Sequence, residues 1–342
     1  MIDIKLLEQL CLCNGISGDE GNVRNLIINE IKDYADDIKT DNLGNLIVFK
    51  KGKKSAKSKL MVSAHMDEVG LMVTDITSDG YLKFDEVGGI DRRVLPGKRV
   101  CVGNDRLSGV IGVKPIHLTS GDEKTAIPKM SDMYIDIGAN SREDALKYVN
   151  YGDSINFDGD FKINGKTVVT KALDDRFGCY VLINLIKSEP EYDMYFTFVV
   201  QEEVGLRGAR PAAFTVNPAF ALIIESTTAA DVAEVDASHQ VCNLSKGATV
   251  TVMDRATVYD KEMINAAFEL AEKNNINVQY KRAVAGGNDS GAIHQSRGGV
   301  RTLAVSLPSR YIHAPSTAAN LDDCESVFNL AKVLSDYIAA EI

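Results

Sequence analysis

The chain has 342 residues, long for a single core, so one large domain plus a smaller one is expected. Its hydrophobic (45%) and charged (25%) fractions are ordinary for a globular protein. A formal net charge of −10 argues against a nucleic-acid backbone or an anionic membrane as partner and suits metal ions and ligands with a positive amine. No apolar run approaches the roughly 20 residues of a spanning helix. The first residues, MIDIKLLEQLCLCNG, lack the basic start and apolar core of a signal peptide. With six scattered cysteines, a reducing, cytoplasmic location is expected.

Residues 3–13 read as a short helix, with Cys11 and Cys13 as buried thiols, since a CxC without companion ligands makes a poor metal site. Ser17-Gly18-Asp19-Glu20 has the Ser-x-x-Glu form of a capping box and opens a second helix, whose Val23, Leu26, Ile27 and Ile31 share one face. A strand follows from Asn42 to Phe49. The lysine-rich run 50–59 reads as a solvated hairpin turn, and with no interleaved aromatics it does not predict nucleic-acid binding. The next strand, Lys59 to Ala64, delivers His65, Met66, Asp67 and Glu68 at its end.

From residue 69 to about 165 the texture changes to short alternating strands separated by turn pairs such as Asp79-Gly80 and Gly88-Gly89, with one helix near Ser141 to Val149. This predicts a β-rich module, 69–165, inserted into an α/β domain formed by 1–68 and 166–342. After it come a helix (Leu173 to Lys187), a fully buried strand (Tyr195 to Val200) and a second apolar strand (Phe220 to Glu225). An amphipathic helix (Asp260 to Asn274), the strand Val278 to Ala283, the turn Gly286-Gly287-Asn288-Asp289, the strand Arg301 to Leu307 and a long helix from Leu321 to Ala340 complete the chain. Such alternation predicts a mostly parallel sheet covered on both faces.

The strand 195–200 runs out on Gln201-Glu202-Glu203. Two adjacent carboxylates at the end of a core strand are costly without a nearby cation, because desolvation favours their protonation. A bound metal, with one glutamate as ligand and the other facing substrate, satisfies both; a solvated loop is the ordinary alternative. In open α/β sheets functional groups gather at strand carboxyl ends, and three such ends carry His65 and Asp67, Glu202 and Glu203, and Glu225. Asp174-Asp175 opens a helix, where the dipole favours anions, and His313 follows the last strand. Singly, His65 reads as a structural residue, Asp174 as a helix cap, Glu225 as a surface charge and His313 as a ring packed on Tyr311. Together they read as a mixed imidazole–carboxylate site suited to zinc, cobalt or manganese rather than calcium. There is no HExxH helix or GxSxG elbow, and Gly165-Lys166-Thr167 lacks the earlier glycine of a phosphate loop because position 160 is Asp160.

The motifs HMDEVG (65–70), ALDDR (172–176), QEEVGLRGA (201–209) and RYIHAP (310–315) resemble those of the dinuclear-metal aminopeptidases of family M42, and the turn 286–289 is close to that family's Gly-Gly-Thr-Asp. The resemblance extends along the whole chain. It implies a three-layer αβα zinc-peptidase-like domain carrying an inserted barrel-like domain that serves dimerisation, the dimers building a hollow tetrahedral dodecamer. It implies two divalent ions, zinc or cobalt with manganese as a further option: His65 and Glu225 on one, Glu203 and His313 on the other, Asp174 bridging. Asp67 would hydrogen-bond the far nitrogen of His65, and Glu202 would be the general base that removes the first residue of a peptide. One departure is Glu225, where the family usually has aspartate, which bears on metal preference at that position. The alternatives are a glycoside hydrolase, a label some members carry, and a metal-binding assembly protein without catalysis. Glycosidases use two metal-free carboxylates and have no need of His65 and His313, and retention of Glu202 counts against an inactive scaffold. The preferred first residue stays open, with Arg255 one candidate for reading an acidic one.

Overall fold

The computed structural model describes residues 2–341. The chain begins with α1 (Ile4–Leu12), α2 (Gly21–Ile31), β1 (Asp37–Thr40), β2 (Leu46–Lys50) and β3 (Leu60–His65). It then leaves the main body for β4 (Gly70–Ile76), β5 (Leu82–Val87), β6 (Arg99–Val102), β7 (Leu107–Gly112), β8 (Tyr134–Asp136), the short α3 (Arg142–Ala145) and β9 (Ser154–Phe157). It returns with β10 (Lys162–Asn164), β11 (Thr167–Thr170), α4 (Leu173–Lys187), β12 (Met194–Val199), α5 (Ala209–Val216) and β13 (Phe220–Thr228). The last elements are β14 (Ala248–Val250), α6 (Lys261–Lys273), β15 (Val278–Tyr280), α7 (Ser290–Ile293), β16 (Arg301–Arg310), β17 (Thr317–Asn320) and α8 (Leu321–Glu341).

Eleven strands form one sheet, its main path running β1-β2-β12-β3-β13-β16-β17-β11-β10, with β14 and β15 attached beside β16. The middle four strands, β12, β3, β13 and β16, are mutually parallel. Their sequences are near-continuous apolar runs because both faces are covered, and every residue of β3 is buried. Helix α4, buried almost all round, packs on β3 and β13 beside α1 and α8, while α5 and α7 pack on β12, β13 and β16 from the other face. The remaining six strands close a barrel in the order β4-β5-β8-β7-β6-β9 around its own core, including Leu71, Ile135 and Ile155.

Four local readings need correction. The sheet is mixed rather than mostly parallel, because both ends of its main path pair antiparallel. The run 50–59 is not a hairpin: β12 lies between β2 and β3, and the connection crosses it with Lys54 paired to Glu191 at 2.9 Å. Ser17 and Glu20 form no capping box. Ser17 Oγ donates to Asp67 at 2.6 Å and Glu20 accepts from the backbone N–H groups of Gly18 and Gln201, so long-range partners outcompete the local cap. His313 does not follow the last strand but lies between β16 and β17.

Where barrel and sheet meet, the chain buries an ionic knot. Arg176, fully enclosed in α4, donates to the carbonyls of Met66 (2.7 Å), Leu10 (2.7 Å), Cys13 (2.6 Å) and Gly15 (3.1 Å), and its Nη2 lies 3.4 Å from Glu68. Lys171 completes the compensation of Glu68 with contacts of 2.7 and 3.0 Å. A planar guanidinium with five donors can satisfy that many carbonyls at once, and no other side chain can. Replacing Arg176 by leucine strips the donors from these carbonyls and leaves Glu68 with half its compensation. The expected loss is about 3–5 kcal/mol of unfolding free energy, the range for breaking a buried ion pair, read as a fall in the urea midpoint.

Candidate metal centre

Strand register assembles the first half of the site. Ile223 of β13 pairs with Ser63 of β3, so Glu225 and His65, each two residues further on, stand on adjacent strands at the same level. Val199 of β12 pairs with His65, which sends Gln201, Glu202 and Glu203 just past the same strand ends. Asp174 arrives from the start of α4, tied to β13 where Ser226 Oγ donates to the Leu173 carbonyl at 3.1 Å. His313 comes from the loop after β16 with φ 58°.

The five residues expected as metal ligands converge. His65 Nε2 lies 3.3 Å from Asp174 Oδ1 and 3.4 Å from Glu225 Oε1. His313 Nε2 lies 3.4 Å from Asp174 Oδ2 and 3.2 Å from Glu203 Oε2. Asp174 therefore offers one oxygen to each imidazole. The donor atoms of His65, Asp174 and Glu225, and likewise of Asp174, Glu203 and His313, lie within 4.8 Å of one another. A third grouping of the same tightness joins His65 with Glu202 and Glu203, which puts Glu202 at the edge of the cluster.

Asp67 is here too, with a different hydrogen-bond pattern from the one expected. His65 Nδ1 sits 3.0 Å from the backbone carbonyl of Asp67 and 3.6 Å from its carboxylate, too long for a hydrogen bond. The carboxylate instead accepts from Ser17 Oγ (2.6 Å) and from the backbone N–H groups of Glu202 (3.0 Å) and Glu203 (3.1 Å). Asp67 thus fixes the ring of His65 through its main chain and holds the Glu202–Glu203 backbone through its side chain. Burial opposes its ionisation, but the neighbouring His65 ring first, and then the Ser17 hydroxyl and the Glu202 N–H, hold its carboxyl below the ordinary range.

The electrostatics of the cluster call for a cation. Burial pushes Glu203 up to about 8 and Glu225 up to about 7, and pushes Glu202 well above the carboxylate range. Burial alone would lower His313, but Asp174 and Glu203 overcome it and raise the ring to about 9. Two imidazoles cannot neutralise Asp174, Glu202, Glu203 and Glu225 together. Two divalent ions would, each with one nitrogen and two carboxylate donors when Asp174 is shared, and with room left for a further ligand. The donors present therefore fit a dinuclear centre.

Sequence reasoning left Asp289 outside the ligand set, as a residue supporting the site or the substrate. It is buried, both its oxygens lack a hydrogen-bond partner among the described residues, and its charge acts on Glu202. Reasoning from motifs also missed Lys281, which lines the cavity of about 150 Å³ beside the cluster. Arg255 is exposed and does not line it. The barrel reaches the site as well. Gly88, with φ 85°, packs so that an added Cβ would lie 2.8 Å from Val69 and 3.2 Å from the Cβ of Glu203, a spot only glycine fills without strain.

Comparison with known proteins places this geometry. The model of the family described as M42 glutamyl aminopeptidase matches residues 44–330. A protein of Acetivibrio thermocellus, provisionally named an aminopeptidase, is 43% identical over 95% of this chain and 96% of its own length. Among solved structures, the TET aminopeptidase of the archaeon Thaumarchaeota archaeon SCGC AB-539-E09 superposes with a TM-score of 0.92 at 33% identity, covering 97% of this chain and 94% of that one. The Pyrococcus horikoshii TET1 peptidase, described as assembling into a tetrahedron or a large octahedral shell, gives 0.86 at 38% identity over 99% of both chains. The chain belongs to the M42 glutamyl aminopeptidase family and is a metal-dependent aminopeptidase.

Proposed function

We propose that the protein removes the first residue of peptides at a dinuclear centre in which His65 and Glu225 hold one divalent ion, His313 and Glu203 the other, and Asp174 both. The observation that carries this reading is the pair of contacts from the two Asp174 oxygens to two different histidines. Zinc or cobalt suits the mixed nitrogen–oxygen donors, with manganese as the harder option. Glu225 reaches His65 from within a strand that continues to Thr228, so the longer side chain takes the place the family usually gives to aspartate.

Bound ions supply Lewis acidity, lowering the pKa of a water and neutralising negative charge on the substrate carbonyl oxygen. The chain's own residues do the rest. Glu202, at the cluster edge but not needed to complete either ligand triad, takes the proton from the attacking water and delivers it to the departing amine nitrogen. Asp67 holds Glu202 in place through its backbone N–H. A glycosidase reading fits poorly, because the carboxylates that would flank a sugar bond face imidazoles instead.

We extend to this chain the self-assembly described for the TET1 relative. The barrel region carries exposed apolar side chains, Ile116 (67%), Leu118 (60%), Ile127 (50%) and Tyr148 (62%), as an interface between copies would. Among the described residues no helix is long and apolar enough to cross a membrane, and we place the assembly in the cytoplasm.

Glu202→Gln keeps the side chain's shape and removes its basicity. We expect kcat to fall on the order of 10²–10⁴ with metal content unchanged, checked by amino-acid anilide hydrolysis alongside elemental analysis. Near-normal turnover would remove Glu202 from its role.

Metal removal has a pH signature. In the metal-free chain the folded values of Glu203 (about 8), Glu225 (about 7) and His313 (about 9) all lie above their unfolded values of 4.5, 4.5 and 6.5. The folded state then binds more protons than the unfolded one across this window, so stability declines as pH rises through it. The chelated protein should show a melting temperature that decreases from pH 5 to pH 9. Saturating zinc or cobalt should flatten or reverse that slope, because the ions bind the deprotonated ligands. Identical slopes with and without metal would count against the assigned ligand set.

A further inference from the structure

A second cavity, of about 300 Å³, opens at the seam between the barrel and the main body, and none of the cluster residues lines it. Cys13, Asn14 and Asp19 line it from the body, and Arg106, Ser154 and Asn156 from the barrel. Small-molecule sites run from about 300 to about 1,000 Å³ and are mostly apolar. This one has the size of a small ligand site but a polar wall.

The wall is built to donate. Asn156 is 2% exposed, and its Oδ1 accepts from the Gly15 N–H at 3.1 Å. Asn14 is 9% exposed, and its Oδ1 accepts from the Lys171 ammonium at 3.2 Å. Both amide orientations are thereby fixed, because turning either group over would set its N–H donors against another donor. Each amide nitrogen is left without a hydrogen-bond partner among the described residues, and neither is closed over by protein. Arg106 adds a cation. Among the described residues its guanidinium reaches only Cys101 Sγ, at 4.0 Å, and no carboxylate. It faces the same space as Cys13: burial pushes that thiol up, and Arg176, Lys171 and Arg106 pull it back. One negative group is present too. Asp19 Oδ2 accepts from the Ser154 hydroxyl at 2.6 Å, which leaves Oδ1 without a partner among the described residues.

We propose that this seam cavity binds a free α-amino acid with a small side chain, such as glycine or alanine. The ligand's carboxylate pairs with the Arg106 guanidinium and the amides of Asn14 and Asn156, and its ammonium pairs with Asp19 Oδ1. A plain anion would gain the donors but meet Asp19, and a plain amine would meet Arg106, so a zwitterion is the class that satisfies both charges. The lining holds no aliphatic or aromatic side chain, so a leucine or phenylalanine side chain has nothing to bury against. An aminopeptidase releases free amino acids, and the ligand therefore belongs to the class of its own products, held between body and barrel.

The test is equilibrium dialysis of radiolabelled L-alanine against the metal-loaded protein, with the metal centre held by excess leucine hydroxamate, which has no carboxylate for Arg106. Alanine should still bind, at one site per chain. Arg106→Met removes the cation and Asn22→Trp fills the cavity; both positions are exposed and line it, so the ligand-free melting temperature should not change. Each substitution should weaken alanine binding by roughly 10–100-fold, the worth of a charge-assisted hydrogen bond. Unlabelled propionate, which lacks the ammonium, and ethylamine, which lacks the carboxylate, should each compete at least about tenfold less well than unlabelled alanine. No alanine retained beside the hydroxamate, retention undiminished in either variant, or propionate or ethylamine competing as well as alanine overturns the proposal. The measurement needs no turnover, so its outcome is independent of the roles assigned at the metal centre.

Discussion

A surplus of buried negative charge is the constraint this protein is built around. Asp174, Glu202, Glu203 and Glu225 converge on the imidazoles of His65 and His313. In a desolvated site such carboxylates take up protons unless a cation intervenes. Burial pushes Glu203 to about 8 and Glu225 to about 7, so the same groups would be protonated and poor ligands without metal and ionised with it. Metal binding and the charge state of the centre are therefore one equilibrium, and the surrounding fold exists to hold the groups close enough for that coupling.

Holding them requires rigid anchors that do not neutralise the cluster. Asp67 uses its carboxylate on backbone N–H groups of Glu202 and Glu203, and its carbonyl on the His65 ring, so one residue orients two strand ends. Backbone strain marks the same region. Ala172, Gln201, Tyr311 and His313 all have φ between 54° and 61°, an uncommon conformation for residues with a Cβ, and each lies in or within two residues of the cluster. Below the cluster, Glu68, Lys171 and Arg176 form a separate ionic knot of one carboxylate and two cations that joins the end of β3, the start of α4 and the loop after α1. The barrel enters through residues 69–70, immediately beyond that knot, and its Gly88 returns to touch Glu203. Among the described residues the barrel adds no side chain to the cluster, yet its Gly88 packs against it.

Much of this could be read in the linear chain, because parallel strands buried on both faces write themselves as apolar runs, and chemistry collects where those runs stop. Tyr195 to Val200 announces β12, and the polar triplet after it announces the site. The errors share a cause. Ser17 and Glu20 have the spelling of a local cap, but Asp67 and Gln201 offer them stronger distant partners. The lysine run 50–59 has the spelling of a hairpin, but hydrogen-bond order in a sheet is not written in the connecting segment. Lys281 carries no motif at all, and its place on the cavity wall comes from the pairing of β15 with β14.

Residue identity alone therefore decided which chemistry is available: imidazoles and carboxylates at strand ends, a second glutamate beside a ligand, six cysteines none of which is a ligand in the cluster. These follow from composition and periodicity, which are local properties. The tertiary fold decided which atom meets which: that the two Asp174 oxygens face different histidines, that the main chain of Asp67 rather than its carboxylate holds the His65 ring, and that the Lys281 side chain borders the cavity. The Asp174 contacts join residues more than a hundred positions apart, and their distances are set by strand register and helix packing, which no short stretch of sequence encodes.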